Sequence, residues 1–272
     1  MMHFKKMLHV MLVIFGIILH ESVLHAAFEY HGLGWPAACA NIKVLGSPHP
    51  DRLLLNPALL TDDDAKVYSF EYQKPFQGLD LQAGSVTSVY TLWKRPFISG
   101  VEYFGDELYS EWKLSSGSTW SITQGVKTGL SLNYRQLRMA EFRTLRAATL
   151  SASLVLDMGG GVRIGTLMEH FVQAQKRLSI PQKFHFGTDY NSGPINILFA
   201  LEKEAALPME VCLGMVFSPR STWQLAFGYR DLSQTISTGW RFILPRIGMS
   251  YTCVIHPELP LSHGFGLEFY FK

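Results

Sequence analysis

The chain has 272 residues, of which 47% are hydrophobic and 17% are charged, and its formal net charge at pH 7 is +2. An average soluble domain carries about 25% charged residues, so this chain has the length of one large domain but few charges. The hydrophobic content excludes a disordered protein. The basic residues are scattered, which excludes the basic patch of a nucleic-acid-binding protein, so we predict no nucleic acid among its partners.

The N-terminus has the three-part layout of a secretory signal peptide. Lys5 and Lys6 precede an uncharged apolar run at residues 10–19, and a small residue suited to cleavage stands at Ala26. A membrane-anchoring helix is the alternative, but this run is much shorter than the ~20 residues that span a bilayer. We therefore predict that residues 1–26 are a signal peptide, cleaved from the mature protein.

The segment at residues 27–66 lacks the alternation of a strand and is rich in Ala, Gly, Pro and His. This segment has two possible locations in the folded protein. It either folds into the interior of the structure that the rest of the chain forms, or it remains a tail in the periplasm.

Apolar and polar residues alternate with a period of two through the rest of the chain, which is typical of strands with two unlike faces. In residues 126–135, Leu130, Leu132 and Tyr134 lie on one face, and small or polar residues such as Asn133 lie on the other. Gly and Pro separate such segments, as they do at turns. The pattern predicts fourteen strands, at 67–75, 84–93, 97–104, 107–116, 124–139, 144–158, 162–172, 183–191, 194–204, 208–217, 221–231, 235–243, 246–256 and 262–271.

The last predicted strand carries Phe265, Leu267, Phe269 and Phe271 on one face. Successive strands of about ten residues, alternating in this way and following a signal peptide, are typical of a transmembrane β-barrel in the bacterial outer membrane. We predict an all-β, antiparallel barrel of about 14 strands (12–14) over residues 67–272. The alternative is a soluble secreted sandwich or small barrel, in which the apolar face packs inward.

A barrel of this size requires something in its lumen, because a barrel of about eight strands is already filled by its own side chains. We expect the N-terminal segment to fold into the lumen as a hatch or plug. On the strands themselves, we expect Leu225 and Phe227 to face lipid. Ala226, on the other face, is expected to meet water or a polar lumen, where a lysine costs little.

Several stretches carry a resemblance to known outer-membrane barrels: "LLLNPALL", "FGDELYSEWKLSSG", "GLSLNYRQL" and "HPELPLSHGFGLEFYF". Over residues 32–272 the chain resembles the PorV/PorQ-like family within the broader FadL-like group. The specific parts of the resemblance are two motifs, one near the front of the chain and one in the last hairpin, formed by Asn56, Pro57, Ala58, and by His256, Pro257, Glu258, His263. The first motif is the expected anchor of the hatch.

The resemblance implies two functions. Its FadL-like side implies a passive channel or transporter for small hydrophobic molecules, which is the function we favour. Its PorV-like side implies a non-enzymatic accessory in protein secretion or surface attachment, with secretion-system or cargo proteins as partners. Either protein has outer-membrane lipid and the barrel-assembly machinery as partners, and we expect Phe265, Leu267, Phe269 and Phe271 to form the signal that this machinery recognises.

The sequence contains none of the common catalytic or cofactor motifs: no G-x-S-x-G, H-E-x-x-H, P-loop or C-x-x-C. We therefore predict no enzyme, no catalytic residue and no cofactor. His256, Glu258 and His263 have a spacing that permits a metal site, but a polar cluster at the end of the last hairpin is favoured. The cysteines are three and widely spaced, so the sequence predicts no metal ligand and no disulfide framework.

Overall fold

A computed structural model of the chain describes residues 33–61, 66–142, 144–174, 180–205 and 207–271. Fourteen strands are present in these residues, and each pairs antiparallel with the next. The strands are β1 (Lys66–Lys74), β2 (Gln82–Leu92), β3 (Arg95–Gly105), β4 (Tyr109–Thr123), β5 (Val126–Met139), β6 (Leu145–Gly159), β7 (Val162–Gln173), β8 (Lys183–Ser192), β9 (Ile195–Glu204), β10 (Glu210–Arg220), β11 (Trp223–Arg230), β12 (Thr235–Ile243), β13 (Ile247–Ile255) and β14 (Ser262–Phe271).

The sheet closes on itself, because β14 also pairs with β1 over the full length of that strand, from Lys66 opposite Phe271 to Lys74 opposite His263. Closure pairs the edge strands that an open sheet would leave unsatisfied. The prediction of a fourteen-stranded antiparallel barrel is confirmed.

The predicted strand ranges differ most from the structure at β4. The alternation predicts 107–116, whereas the strand runs from Tyr109 to Thr123. Its second half begins with Ser115, Ser116 and Gly117, which are too small and polar to give a hydrophobic period. Their pairing with β3 and β5 holds them in the strand.

The two faces of the wall have opposite character. On β1, Tyr68 and Phe70 point outward and are 43% and 46% exposed, while Ser69 and Glu71 point inward and are 0% and 5% exposed. The apolar face is therefore on the outside. This arrangement contradicts a soluble sandwich or barrel, which buries its apolar face, and it suits a wall surrounded by lipid.

The interior of the barrel holds residues 33–61, which we call the plug. The plug contains helix α1 (Gly34–Ala38), helix α2 (Pro50–Leu55) and a 3₁₀ turn at Pro57–Leu59. Helix α1 contacts β1 and β11–β14, helix α2 contacts β1–β4, and the 3₁₀ turn contacts β4–β6. For these residues the prediction of a segment folded into the lumen is confirmed, and the periplasmic tail is excluded.

The two ends of the barrel have connections of different length. At the end where β1 begins and β14 finishes, the strands are joined by tight turns, such as 124–125 and 193–194. At the opposite end the loops are longer, such as 75–81 and 256–261. We call these the turn end and the loop end. No helix among the described residues is long and apolar enough to cross a membrane. The predicted signal peptide, residues 1–26, lies outside the described residues.

Candidate functional site: the plugged lumen

The main hydrophobic core of the described residues lies inside the barrel, between the plug and the wall. In the plug, Trp35, Ile42 and Leu45 are each 0% exposed. They belong to one cluster with inward-facing wall residues such as Leu198 and Ala226. Leu198 and Ala226 are also 0% exposed, so this part of the lumen contains packed side chains.

Ala226 corrects one expectation from the sequence. Its side chain points inward, as the alternation predicts, but it meets the apolar plug and neither water nor a polar lumen. The alternation shows which residues face inward. It does not show what fills the space in front of them.

The wall also binds the backbone of the plug directly. Ser237 of β12 accepts a hydrogen bond from the amide of Ala40 at 3.1 Å and donates one to the carbonyl oxygen of Ala38 at 3.2 Å. Arg230 donates from Nη1 to the carbonyl oxygen of Ala40 at 3.0 Å. Gly228 permits this approach, since a Cβ there would overlap the backbone of Ala40.

Asn56, Pro57 and Ala58 lie where the plug turns toward β4–β6. Asn56 donates from Nδ2 to the carbonyl oxygen of Val44 at 2.7 Å, which joins two separate stretches of the plug. The amide of Ala58 donates to Asn56 Oδ1 at 3.1 Å and lies 3.4 Å from the hydroxyl of Ser153 on β6. The motif therefore contacts both the plug and the wall. Its role as an anchor stays a prediction.

A first polar network, the loop-end network, joins the plug to the wall near the loop end through Lys43, Glu169, His185, Glu202 and Arg230. Lys43 Nζ lies 2.8 Å from Glu169 Oε1, and His185 Nε2 lies 2.7 Å from the same oxygen. Arg230 Nη2 is 2.7 Å from Glu202 Oε2. Burial lowers the pKa of Lys43 below its usual range, and the nearby Glu169 opposes that shift.

A β-bulge in β7 shapes this network. The register shifts so that Leu150 pairs with Val172 and Ala152 with Met168, and His170 takes a positive φ of 60°. As a result the adjacent residues Glu169 and His170 are both buried, at 5% and 1% exposure. Strict alternation places neighbours on opposite faces, so the sequence pattern did not predict this pair.

A second polar network, the seam network, lies where β14 meets β1 and comprises His49, Asp51, Glu71, Arg241 and Glu268. His49 Nε2 is 3.3 Å from Glu268 Oε1 and 3.6 Å from Glu71 Oε1. Arg241 donates from Nε to Glu268 Oε1 at 2.7 Å. Burial raises the pKa of Asp51, and the nearby His49 opposes that shift.

A small cavity of about 280 Å³ stands at the loop end, above the plug. Its polar lining includes residues of the loop-end network, Lys43, Glu202 and Arg230, which are paired with neighbouring charges. Apolar lining comes from Ala37 of the plug and from Phe76 in the first loop.

The residues of the motif in the last hairpin lie in three different places: at the cavity, on the outer face of the wall and in the exposed loop. His256 lies at the cavity and contacts the hydroxyl of Ser262 at 3.1 Å. His263 is the neighbour of the inward-facing Ser262 and contacts the hydroxyl of Tyr251 at 2.8 Å on the other face. Pro257 and Glu258 are exposed in the loop. The structure therefore does not bring His256, Glu258 and His263 together.

The aromatic residues of the closing strand lie on the outside of the seam. Phe265, Leu267 and Phe271 are 58%, 44% and 50% exposed, and Phe269 is half-buried. The ring of Phe271 lies 5.5 Å from that of Tyr68 on β1. The orientation is the predicted one, and recognition by the assembly machinery stays a prediction.

No protein-family model matches this chain, and no curated protein matches it. Among solved structures, the CymD monoaromatic hydrocarbon channel superposes with a TM-score of 0.69 at 11% identity, covering 90% of this chain and 99% of that chain. The chain shares the fold of this channel. The toluene transporter TbuX of Ralstonia pickettii gives a TM-score of 0.65 at 9% identity, covering 87% and 97%. The toluene transporter TodX of Pseudomonas putida gives 0.62 at 8% identity, covering 88% and 97%.

These comparisons support the FadL-like part of the resemblance at the level of the fold. They give no support to the narrower PorV/PorQ assignment or to the accessory in protein secretion. At such low identity the likeness concerns the fold alone.

Proposed function

We propose that this protein is a passive, non-enzymatic channel of the bacterial outer membrane for small hydrophobic molecules. The fold likeness to three barrels named as hydrocarbon channels or toluene transporters supports this function. The outward apolar wall supports a place in a membrane. The turn end then faces the periplasm, because the short turns of outer-membrane barrels lie there.

The observation that carries the proposal is the apolar contact between plug and wall. Side chains such as Ile42, Leu45 and Leu198 pack together in the lumen at 0% exposure, so water does not reach them. An ion crossing this region would lose its hydration, which is costly in apolar surroundings. A small apolar molecule has no such cost, and it needs only a displacement of the plug.

The cavity at the loop end is the entry point in this proposal. Its floor is part of the plug, and its volume suits a small molecule. The charged groups that line it are each paired with a neighbouring charge, so they present no unpaired charge to attract an ionic solute. The molecule then passes between the plug and the wall.

The experiment measures entry of a radiolabelled monoaromatic hydrocarbon into cells, because the lipopolysaccharide leaflet of the outer membrane retards apolar molecules that cross plain phospholipid. Cells producing the protein should take up the hydrocarbon faster than cells without it. Uptake of a sugar of similar size should not change. Equal hydrocarbon uptake in the two strains, at verified outer-membrane levels of the protein, would overturn the proposal.

A reversible crosslink tests the route. Ala40 and Ser237 are replaced by cysteine, because the Ser237 hydroxyl already reaches the Ala40 amide. The native Cys39, Cys212 and Cys253 are removed first. Oxidation should lower hydrocarbon uptake and reduction should restore it, while the single Ser237→Cys variant in the same background should respond to neither.

A further inference from the structure

We propose that the seam network is a binding site for a divalent metal ion, with His49, Asp51 and Glu71 as ligands. This goes beyond the channel function and departs from the expectation, drawn from the sequence, that no residue ligates a metal. The ion would join helix α2 of the plug to strand β1 of the wall, beside the seam that closes the barrel.

The geometry of the three side chains fits a metal site. One ligand atom from each of them lies within 4.8 Å of the other two. His49 Nε2 is 3.6 Å from Glu71 Oε1, and His49 Nδ1 is 3.4 Å from Asp51 Oδ2. Ligands at ~2.0–2.2 Å from a tetrahedral ion stand about 3.3–3.6 Å apart. His49 Nε2 and Glu71 Oε1 already match this spacing, and the Asp51 carboxylate must turn toward Nε2 to reach the same ion.

Two polar atoms in the site are buried without a hydrogen-bond partner, namely Nε2 of His49 and Oδ2 of Asp51. The residues are 1% and 5% exposed, so bulk water does not satisfy these atoms. Such buried atoms are uncommon because each carries a desolvation cost. A metal ion between them can be ligated by both atoms.

The other oxygen of Asp51 is held in place by the wall. Its Oδ1 accepts hydrogen bonds from the hydroxyls of Ser85 at 2.9 Å and Thr87 at 3.1 Å, both on β2. The imidazole is also held, because the backbone amide of Asp51 donates a hydrogen bond to His49 Nδ1 at 3.3 Å. Hydrogen bonds that orient ligands in this way are typical of metal sites in proteins.

The charges of the network call for a cation. Arg241 pairs with Glu268, which balances one carboxylate. Asp51 and Glu71 remain, and within the seam network only His49 is left to face them. Even a protonated His49 leaves one negative charge in a buried site, which is costly, whereas a divalent ion with neutral His49 balances both carboxylates.

The wall makes room for the carboxylate of Glu71 at Gly266 of β14. A Cβ at that position would overlap both carboxylate oxygens of Glu71.

One imidazole nitrogen with two carboxylate oxygens is a donor set that suits Zn²⁺ or Mn²⁺ better than Mg²⁺ or Ca²⁺, which prefer oxygen alone.

The test uses the full-length mature protein, purified from membranes into detergent. A chelator first removes any bound metal, and calorimetry then measures the binding of Zn²⁺ and of Mn²⁺. We expect one ion per chain. Glu71→Gln and Asp51→Asn, which keep the shape of the side chains, should each weaken binding by about tenfold or more. His256→Ala, in the last hairpin and away from the site, is the matched control and should bind like the unmodified protein.

Several results would overturn the proposal: no binding of either ion, equal affinity in the Glu71→Gln variant, or an equal loss in the His256→Ala control. The first of these would mean that Asp51 and Glu71 share a proton. The two amide variants are also checked for heat-modifiable migration, which separates loss of the site from loss of the fold. If these variants do not fold, the test is X-ray absorption spectroscopy of the unmodified protein loaded with Zn²⁺. A spectrum that shows no histidine ligand would contradict the proposed site.

Discussion

Phe70 of β1 lies directly opposite Leu267 of β14, and this pair stands in the middle of the seam that closes the barrel. Both side chains point outward, at 46% and 44% exposure. The first and last strands of the chain thus complete one continuous apolar band, and the aromatic pattern of the C-terminus continues that of β1.

The position of Leu267 leads to a prediction about folding into lipid. An arginine at the bilayer midplane costs about 2–4 kcal/mol, and the cost falls toward zero near the interface. Leu267 is at mid-strand and Phe271 is the last residue of β14. Leu267→Arg should therefore lower the free energy of unfolding in liposomes more than Phe271→Arg does, measured by urea titration. Equal losses would contradict a membrane centred on the seam.

The closing strand also carries the predicted assembly signal. Phe271→Ala should reduce insertion of the protein into the outer membrane of cells, because Phe271 belongs to the predicted recognition signal. Refolding of the same variant into detergent should stay nearly unchanged, since Phe271 is at the rim and half exposed. Normal insertion of the Phe271→Ala variant in cells would contradict the prediction that this strand carries the assembly signal.

Ala226 gives a prediction that depends on the plug. Ala226→Lys places a charge in a fully buried apolar cluster, so the variant should lose more than about 2 kcal/mol of the free energy of unfolding. In a protein lacking residues 33–60 the same lysine meets water and should cost little. Denaturant titration of the protein with and without the plug, each with alanine or lysine at position 226, measures the effect of the plug on the cost of the lysine. An equal loss of the free energy of unfolding with and without the plug would mean that the plug does not cover Ala226.

Removal of the plug should open the barrel to ions. Deletion of residues 33–60 leaves a lumen wider than its own side chains fill, so conductance in planar bilayers should rise severalfold. The intact protein serves as the reference, because we expect its apolar plug to exclude hydrated ions. An unchanged conductance would mean that another part of the chain blocks the pore.

The side chain of Asn56 should stabilise the plug. Asn56→Ala removes the 2.7 Å hydrogen bond to Val44 and leaves a buried carbonyl oxygen unpaired, at a cost of about 1–3 kcal/mol. Limited proteolysis should then cut residues 33–61 faster than in the unmodified protein. Asn191→Ala, at the exposed end of β8 beside the 193–194 turn, is the control and should leave the cutting rate unchanged.

The sequence by itself determined the wall of this protein. A strand shows its two faces in the order of its residues, because successive side chains point to opposite sides. Repetition of that period predicted fourteen strands, and Phe265, Leu267 and Phe271 were expected on the outside, where the structure places them. The pattern failed where it was absent or interrupted, as in the small residues of β4 and at the bulge that turns His170 inward.

Only the tertiary structure decided what the inward face meets. His49 and Asp51 come from the plug, Glu71 from the first strand and Glu268 from the last, so closure of the barrel and insertion of the plug are both needed to assemble the seam network. No local period links the plug, β1 and β14, because these three segments are separate in the chain. For the same reason the sequence correctly placed Ala226 inside but wrongly predicted water or a polar lumen there, where the structure has the apolar plug.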